Sequence, residues 1–377
     1  MNIREQFPIF QHFRHINSCS HGALSLGVRK AYEDYLNDRD RYGAPWGYWV
    51  EQLEEARSLI AGLLNSPVDR IAVTSSVSAA VNGIAGTMDF SGERNRIVAT
   101  DFDFPSTAQI WHAQESRGAE VIHVKQSPDG NTIPFENFIE AIDERTKLVS
   151  IPHVCYRNGA KLDVKPIIDL AHSRGAMVLL DSYQAVGTCA IDASALAPDF
   201  LVGGLQKYLL GSSGTGFMYV KDDQSSAKIP TSSGWFAQSD VHAMNIYQNE
   251  PALDARRFEA GTPNIPNLYA AIAGIKLIQS IGLDTIEAHV RELTGALKEG
   301  ALQRGFKIST HLDADKHGAM IAIKSTDMDK LVAALMSENI GTSCRDGNLR
   351  VSPHIYNNME DIEYLLNAMT KYKDLLV

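Results

Sequence analysis

Two oppositely charged residues stand just past the ends of apolar runs, and their pairing defines the chemistry to look for. Met177-Val-Leu-Leu-Asp-Ser ends on Asp181, and Phe200-Leu-Val-Gly-Gly leads into Lys207. A lysine can hold an aldehyde cofactor as a Schiff base, while a carboxylate keeps a pyridine nitrogen protonated. The pair therefore suits pyridoxal phosphate (PLP). A lone lysine after a strand is usually a solvated surface charge, so the neighbouring residues must carry the argument.

Several neighbours fit. Thr74-Ser-Ser-Val-Ser78 lies between a predicted strand and a predicted helix, where backbone N–H groups and small hydroxyls suit a phosphate dianion. The plainer alternative is a serine N-cap that needs no phosphate. Phe104 follows the apolar run ending at Thr100 and could stack on a pyridine ring, or simply fill a core. Gly211-Ser-Ser-Gly-Thr-Gly216 superficially resembles a nucleotide loop. It lacks Gly-Lys-Ser/Thr and precedes a strand instead of a helix, so a P-loop and a dinucleotide fingerprint are both rejected. No His, Cys and carboxylate cluster has metal-ligand spacing.

The elements that must position these residues are legible as alternation. Candidate strands at 71–74, 96–100, 120–125, 148–153, 177–181, 200–203 and 216–220 are separated by helix-like patterns at 78–88, 107–117, 134–142 and 165–174. This predicts an α/β fold, a large domain with a mostly parallel seven-stranded sheet flanked by helices. Ligands in such folds bind at the carboxyl ends of strands, where Asp181 and Lys207 fall. After Gly261 the pattern changes to helices at 267–281, 283–304, 328–337 and from Met359, with sparse strands at 306–309, 320–324 and 349–352. That predicts a smaller C-terminal α+β domain. The expected division is an N-terminal segment 1–20 joining the small domain, a large domain 21–260 and a small domain 261–377.

With 377 residues and 44% hydrophobic content, the chain is long enough for two packed units. The net charge of −10 disfavours a phosphate backbone as partner, so no nucleic acid is expected. No run is long enough to cross a membrane, and the N-terminus lacks a signal-peptide pattern. The four cysteines, Cys19, Cys155, Cys189 and Cys344, show no paired spacing, so a reducing cytoplasm is expected.

From about Asn17 to the C-terminus, these ordered motifs resemble the class V aminotransferase family of fold-type I PLP enzymes, which holds cysteine desulfurases, kynureninases and alanine–glyoxylate aminotransferases. Asp181-Ser-Tyr-Gln-Ala-Val-Gly187 is similar to the desulfurase pattern Asp-x-x-Gln-Ala-x-Gly. The resemblance implies that Asp181 pairs with the pyridine nitrogen, Gln184 with the phenolic oxygen, and Lys207 with the aldehyde carbon. Many relatives carry His before that lysine and Ser three before it, both serving the phosphate; here those positions are Gln206 and Gly204. Val77 would give the phosphate its backbone N–H and Ser78 its hydroxyl. Arg257-Phe-Glu-Ala-Gly-Thr-Pro263 is similar to a family motif whose threonine reaches the neighbouring subunit's phosphate, so Thr262 implies a homodimer with shared sites. Phe104 takes the ring-stacking position. Arg350 resembles the arginine that grips a substrate carboxylate, and Arg345 a second arginine near the substrate. Tyr156 falls where relatives often place Asn beside the ring oxygen, and His21 lies in the segment lining the entrance. The mobile cysteine loop of desulfurases is missing, so Cys344 is not assigned as a persulfide carrier.

The resulting expectation is a cytoplasmic PLP-dependent homodimer acting on a small α-amino acid through a Lys207 aldimine. It leans to a lyase of the cysteine desulfurase/kynureninase kind, with an aminotransferase as the alternative, racemisation as a third outcome, and an inactive PLP-fold binding protein as an outside one. The substrate side-chain pocket is expected from loops at 42–49 and 233–249, where Trp46, Tyr48, Trp49, Trp235 and Phe236 suggest an aromatic-walled entrance, with contribution by the partner subunit or simple structural packing as the alternatives.

Overall fold

The structure, a computed structural model, describes residues 3–221 and 228–377. Seven strands form the main sheet: β1 (Ile71–Thr74), β2 (Arg96–Thr100), β3 (Glu120–Val124), β4 (Thr146–Pro152), β5 (Met177–Asp181), β6 (Phe200–Gly204) and β7 (Gly216–Val220). Their order across the sheet is β1–β7–β6–β5–β4–β2–β3. β7 runs against both its neighbours, and every other pairing is parallel. The expected mostly parallel sheet is therefore present, with each of its expected strands.

Burial on both faces explains why the strands read as continuous apolar runs rather than alternating ones. Ile71, Val73, Leu201 and Phe217 face one core; Ala72, Val202, Met218 and Val220 face the other. Helices cover both: α1 (Leu26–Tyr42), α2 (Trp46–Leu63), α3 (Val77–Gly86), α4 (Pro105–Ala113), α5 (Phe135–Ala141), α6 (Val164–Ser173) and α7 (Ile265–Ile281). Ala80, Ile84 and Trp111, from α3 and α4, close the second face. Leu53, Ile60, Ile167, Leu268 and Ile275, from α2, α6 and α7, close the first.

A second unit combines α8 (Leu283–Gln303), α9 (Met328–Ser337) and α10 (Met359–Lys371) with β8 (Ile321–Lys324), β9 (Ser343–Arg345) and β10 (Asn348–Val351). The three strands form an antiparallel sheet in the order β9–β10–β8. Leu293, Leu297, Ile323, Leu349 and Leu365 make its core. The N-terminal segment docks there: Arg14–His15 pairs in parallel with Ile340–Gly341, Ile16 enters that core, and Arg4 meets Asp361 at 2.6 Å.

Three expectations need adjustment. α7 packs on α1 and α2 and buries its apolar residues in the large sheet's core, so we place the boundary between the units at Gly282 instead of after residue 260. Residues 42–49, expected as a loop, are the end of α1, a turn at 43–45 and the start of α2. The strand expected at 306–309 is a single bridge, Ile308 to Ile323. Among the described residues no helix is long and apolar enough to cross a membrane, and the four cysteines are free.

Candidate active site

The elements bring most of the singled-out residues to one place. Asp181 closes β5, Lys207 follows β6, Val77 and Ser78 open α3, Phe104 caps α4, and Arg350 lies on β10. All of them, with Gln184, Gln206, Tyr156 and Arg345, line one cavity of about 340 Å³ at the carboxyl ends of β5 and β6.

Lys207 opens into this cavity, with Nζ 5.7 Å from the centre of the Phe104 ring and 4.2 Å from that of Tyr183. Burial lowers its pKa and nearby Arg350 adds to the effect, against the opposing pull of Cys19 and Asp181. A neutral amine, the nucleophilic form, is thus easier to reach than in water. Burial pushes the Asp181 carboxyl up, opposed by the Tyr183 N–H, which donates to Oδ1 at 2.9 Å, and by Lys207. Asp103 is pushed up to about 8, first by burial and further by Asp181, against a hydrogen bond from Thr100.

Arg350 is 5% exposed. Its guanidinium donates to the Tyr156 carbonyl at 2.9 Å and to Ser343 Oγ at 3.0 Å, while Nε has no partner among the described residues. No carboxylate of those residues pairs with it. A buried guanidinium held by neutral groups is a site for an incoming anion, and its planar fork matches a carboxylate.

The residues fit PLP on four independent counts. Asp181, half-buried and accepting from the Tyr183 N–H, would be matched by a cationic ring nitrogen. Gln184 Oε1 and Thr215 Oγ1 are buried without a partner among the described residues. Gln184 gives its amide N–H to the Cys19 carbonyl at 3.1 Å and keeps a second N–H for a phenolic oxygen. At α3 the cap is Ser76, whose Oγ accepts from the Ala79 N–H at 3.1 Å. The Val77 and Ser78 amides and the Ser78 hydroxyl are thereby left for a dianion at the positive end of the helix. Finally, Phe104 is 41% exposed, packs edge-on against Tyr156 at 5.0 Å, and offers an open aromatic face.

Two expected residues lie elsewhere. His21 is exposed and does not line the cavity; its Nδ1 meets the Gly22 carbonyl at 2.9 Å. The residue that matters there is Gly22, because a Cβ at that position would overlap the Lys207 carbonyl. This close approach carries Cys19 and Ser20 into the cavity. Thr262 is exposed and outside the cavity of its own chain. None of Trp46, Tyr48, Trp49, Trp235 and Phe236 lines it either; Trp49 is buried and Trp46 packs edge-on between Trp49 and Trp235.

Other lining residues were not singled out: Cys19, Tyr183, Thr107, Gly214 and Thr215. Tyr183 sits inside the Asp181–Gly187 motif, Thr107 opens the helix-like pattern at 107–117, and Gly214-Thr215 belongs to the glycine-rich turn rejected as a nucleotide loop. Cys19 carried no signal, since only the approach of Gly22 to Lys207 places it there.

Comparison with known proteins agrees with this geometry. Residues 29–365 match the family model "Aminotransferase class-V". An uncharacterised aminotransferase, YcbU, of Bacillus subtilis (strain 168) is 31% identical over 366 residues, 97% of this chain and 96% of that one. A probable cysteine desulfurase of Methanothermobacter thermautotrophicus is 27% identical over 97% of this chain and 96% of its own. The apo structure of a cysteine desulfurase from Thermococcus onnurineus NA1 superposes with a TM-score of 0.89 at 22% identity, covering 99% of this chain and 98% of that one, and shares the fold. The chain belongs to the class-V aminotransferase family and is a PLP-dependent enzyme.

Proposed function

We propose that the enzyme takes a small α-amino acid, binds its carboxylate at Arg350, moves its α-proton with Lys207, and then cleaves a bond at the β-carbon. Bound PLP supplies an electron-accepting ring that stabilises negative charge at the substrate's α-carbon. The observation that carries the reading is Arg350, a buried cation without an anion among the described residues, in the same cavity as Lys207. Asp181 holds the proton on the ring nitrogen. Gln184 addresses the phenolic oxygen, while Val77, Ser78 and Gln206 address the phosphate. Phe104 fixes the ring plane, a contact worth about 1 kcal/mol. Tyr156 orients Arg350 through its carbonyl, and Arg345 faces the cavity as a second, exposed cation.

The lyase reading is supported by the Asp-x-x-Gln pattern and by the desulfurase named above. In this reading Cys344 is not a persulfide carrier. Cys344 lies on β9 outside the cavity and donates to Asp329 Oδ1 at 3.3 Å; burial and then Asp329 push its pKa up. A protonated, tethered thiol is a poor sulfur acceptor. Transamination is the second reading. It is favoured by a cavity that no histidine lines among the described residues, and by a relative named as an aminotransferase.

We also propose a homodimer in a reducing cytoplasm, with Thr262 serving the partner's phosphate. The exposed position of Thr262 and the four free cysteines support this. One experiment separates the two chemistries. The holoenzyme is incubated with single amino acids and no keto acid. Pyruvate or sulfide released with the cofactor unchanged supports elimination, whereas stoichiometric conversion to pyridoxamine phosphate overturns it in favour of transamination.

A further inference from the structure

Tyr183 lines the cavity, yet no step above uses its side chain. Its backbone N–H already serves Asp181, which fixes where the side chain starts. The ring then leans back over the end of β6. A Cβ on Gly204 would overlap both Cζ and Oη of Tyr183, so the phenol fills the space that a side chain at position 204 would take. The hydroxyl makes no hydrogen bond among the described residues.

What lies next to it is the phosphate cup. Gly204 is paired with Gly216 on β7, and Gly216 with Thr74 on β1. A Cβ at Gly216 would stand 3.0 Å from the Val77 amide nitrogen. Positions 204 and 216 are paired on adjacent strands, about 5 Å apart at sheet spacing, with the Tyr183 hydroxyl beside the first and the start of α3 beside the second. Groups so separated can both reach the oxygens of one phosphate. Burial, followed by the Asp181 charge, pushes the phenol up to about 12. It therefore stays protonated at physiological pH and can donate to a dianion.

Resting on the PLP assignment, we propose that Tyr183 is a cofactor-positioning residue whose hydroxyl donates to the phosphate ester, in space that only glycine at position 204 leaves free. The pair Tyr183–Gly204 supplies from β5 the donor that β6 does not provide.

The test measures equilibrium binding of PLP and of pyridoxal, which lacks the phosphate, to the apo forms of wild type and variants. Loss of one charge-assisted hydrogen bond predicts that Tyr183→Phe weakens PLP binding by about 10- to 100-fold and leaves pyridoxal binding unchanged. Equal weakening of both ligands, or of neither, overturns the proposal. Gly204→Ser is expected to weaken PLP binding in wild type, where the phenol blocks it, and to strengthen it in Tyr183→Ala, where the new hydroxyl has room. A serine that weakens binding in both backgrounds overturns the shared-space argument. Wild type that binds PLP no more tightly than pyridoxal overturns the cofactor assignment itself, which separates that failure from this one.

Discussion

Arg57 and Arg350 are both almost completely buried, and they are held in opposite ways. Arg57, 2% exposed, has every direction filled: Glu259 Oε1 at 2.5 Å, Glu54 at 3.0 Å, and the Ile71 carbonyl at 2.8 Å. Burial works against its charge, but Glu259 and Glu54 more than offset that and hold its pKa above the usual range. Glu259 in turn accepts the Val73 N–H at 2.8 Å, tying α2 to the strand that leads into the phosphate cup. Arg350 has only neutral partners. Arg57 needs nothing further, whereas Arg350 is balanced only when an anion arrives. The contrast explains why the Phe-Glu-x-Gly-Thr-Pro motif holds two kinds of residue: Glu259 acts within the fold, while Thr262 stands outside it.

The largest expected effect comes from breaking the saturated side. Glu259→Ala leaves Arg57 buried with only the partly exposed Glu54 beside it, and should cost about 3–5 kcal/mol of stability, read by denaturant unfolding. Arg350→Leu should do the reverse: unfolding within about 1 kcal/mol of wild type, but kcat/KM down roughly 100- to 1,000-fold. Arg350→Lys, which keeps charge but loses the planar fork, should fall between, about tenfold down. Comparable destabilisation by Glu259→Ala and Arg350→Leu would erase the distinction.

Acid sharpens the same comparison. His354 is fully buried with both ring nitrogens used, one against the Tyr208 carbonyl at 2.9 Å and one accepting the Ile355 N–H at 2.7 Å. Burial lowers its pKa to about 4, and those of His153 and His317 likewise. A histidine whose folded pKa lies below 6.5 binds fewer protons folded than unfolded between those values. Its stabilisation is therefore complete above about 6.5 and is lost as pH falls toward 4, by at most about 1.4 kcal/mol per unit for each. The thermal midpoint should drop steadily over that window; a flat profile would contradict the assignment of these histidines as neutral in the folded protein. The smallest effect belongs to Cys344→Ser, which should leave turnover within about twofold and stability within about 0.5 kcal/mol. A large loss of turnover would return Cys344 to the reaction.

The main sheet was readable because strands buried on both faces must be apolar throughout, and the glycine-rich turns after them mark their ends. α1 was not readable: of its seventeen residues only Val28 is buried, so it carries no apolar stripe. α2 was misread because aromatic residues such as Trp49 suggest a pocket wall while serving the core. β9, Ser-Cys-Arg, is too short and polar to signal a strand. In the site, Asp181, Lys207 and Ser78 follow directly from strand and helix ends, where local sequence dictates position. Cys19 and Tyr183 do not. Their places depend on Gly22 meeting Lys207 and on the space above Gly204, contacts between segments far apart in the chain.

The central claim is that Lys207 is the amine that carries the cofactor. Borohydride reduction of the yellow holoenzyme, followed by peptide mass spectrometry, tests it most directly. The account predicts one pyridoxyl group, on the peptide containing Lys207. The same mass on a peptide bearing a different lysine, or on none, would contradict it.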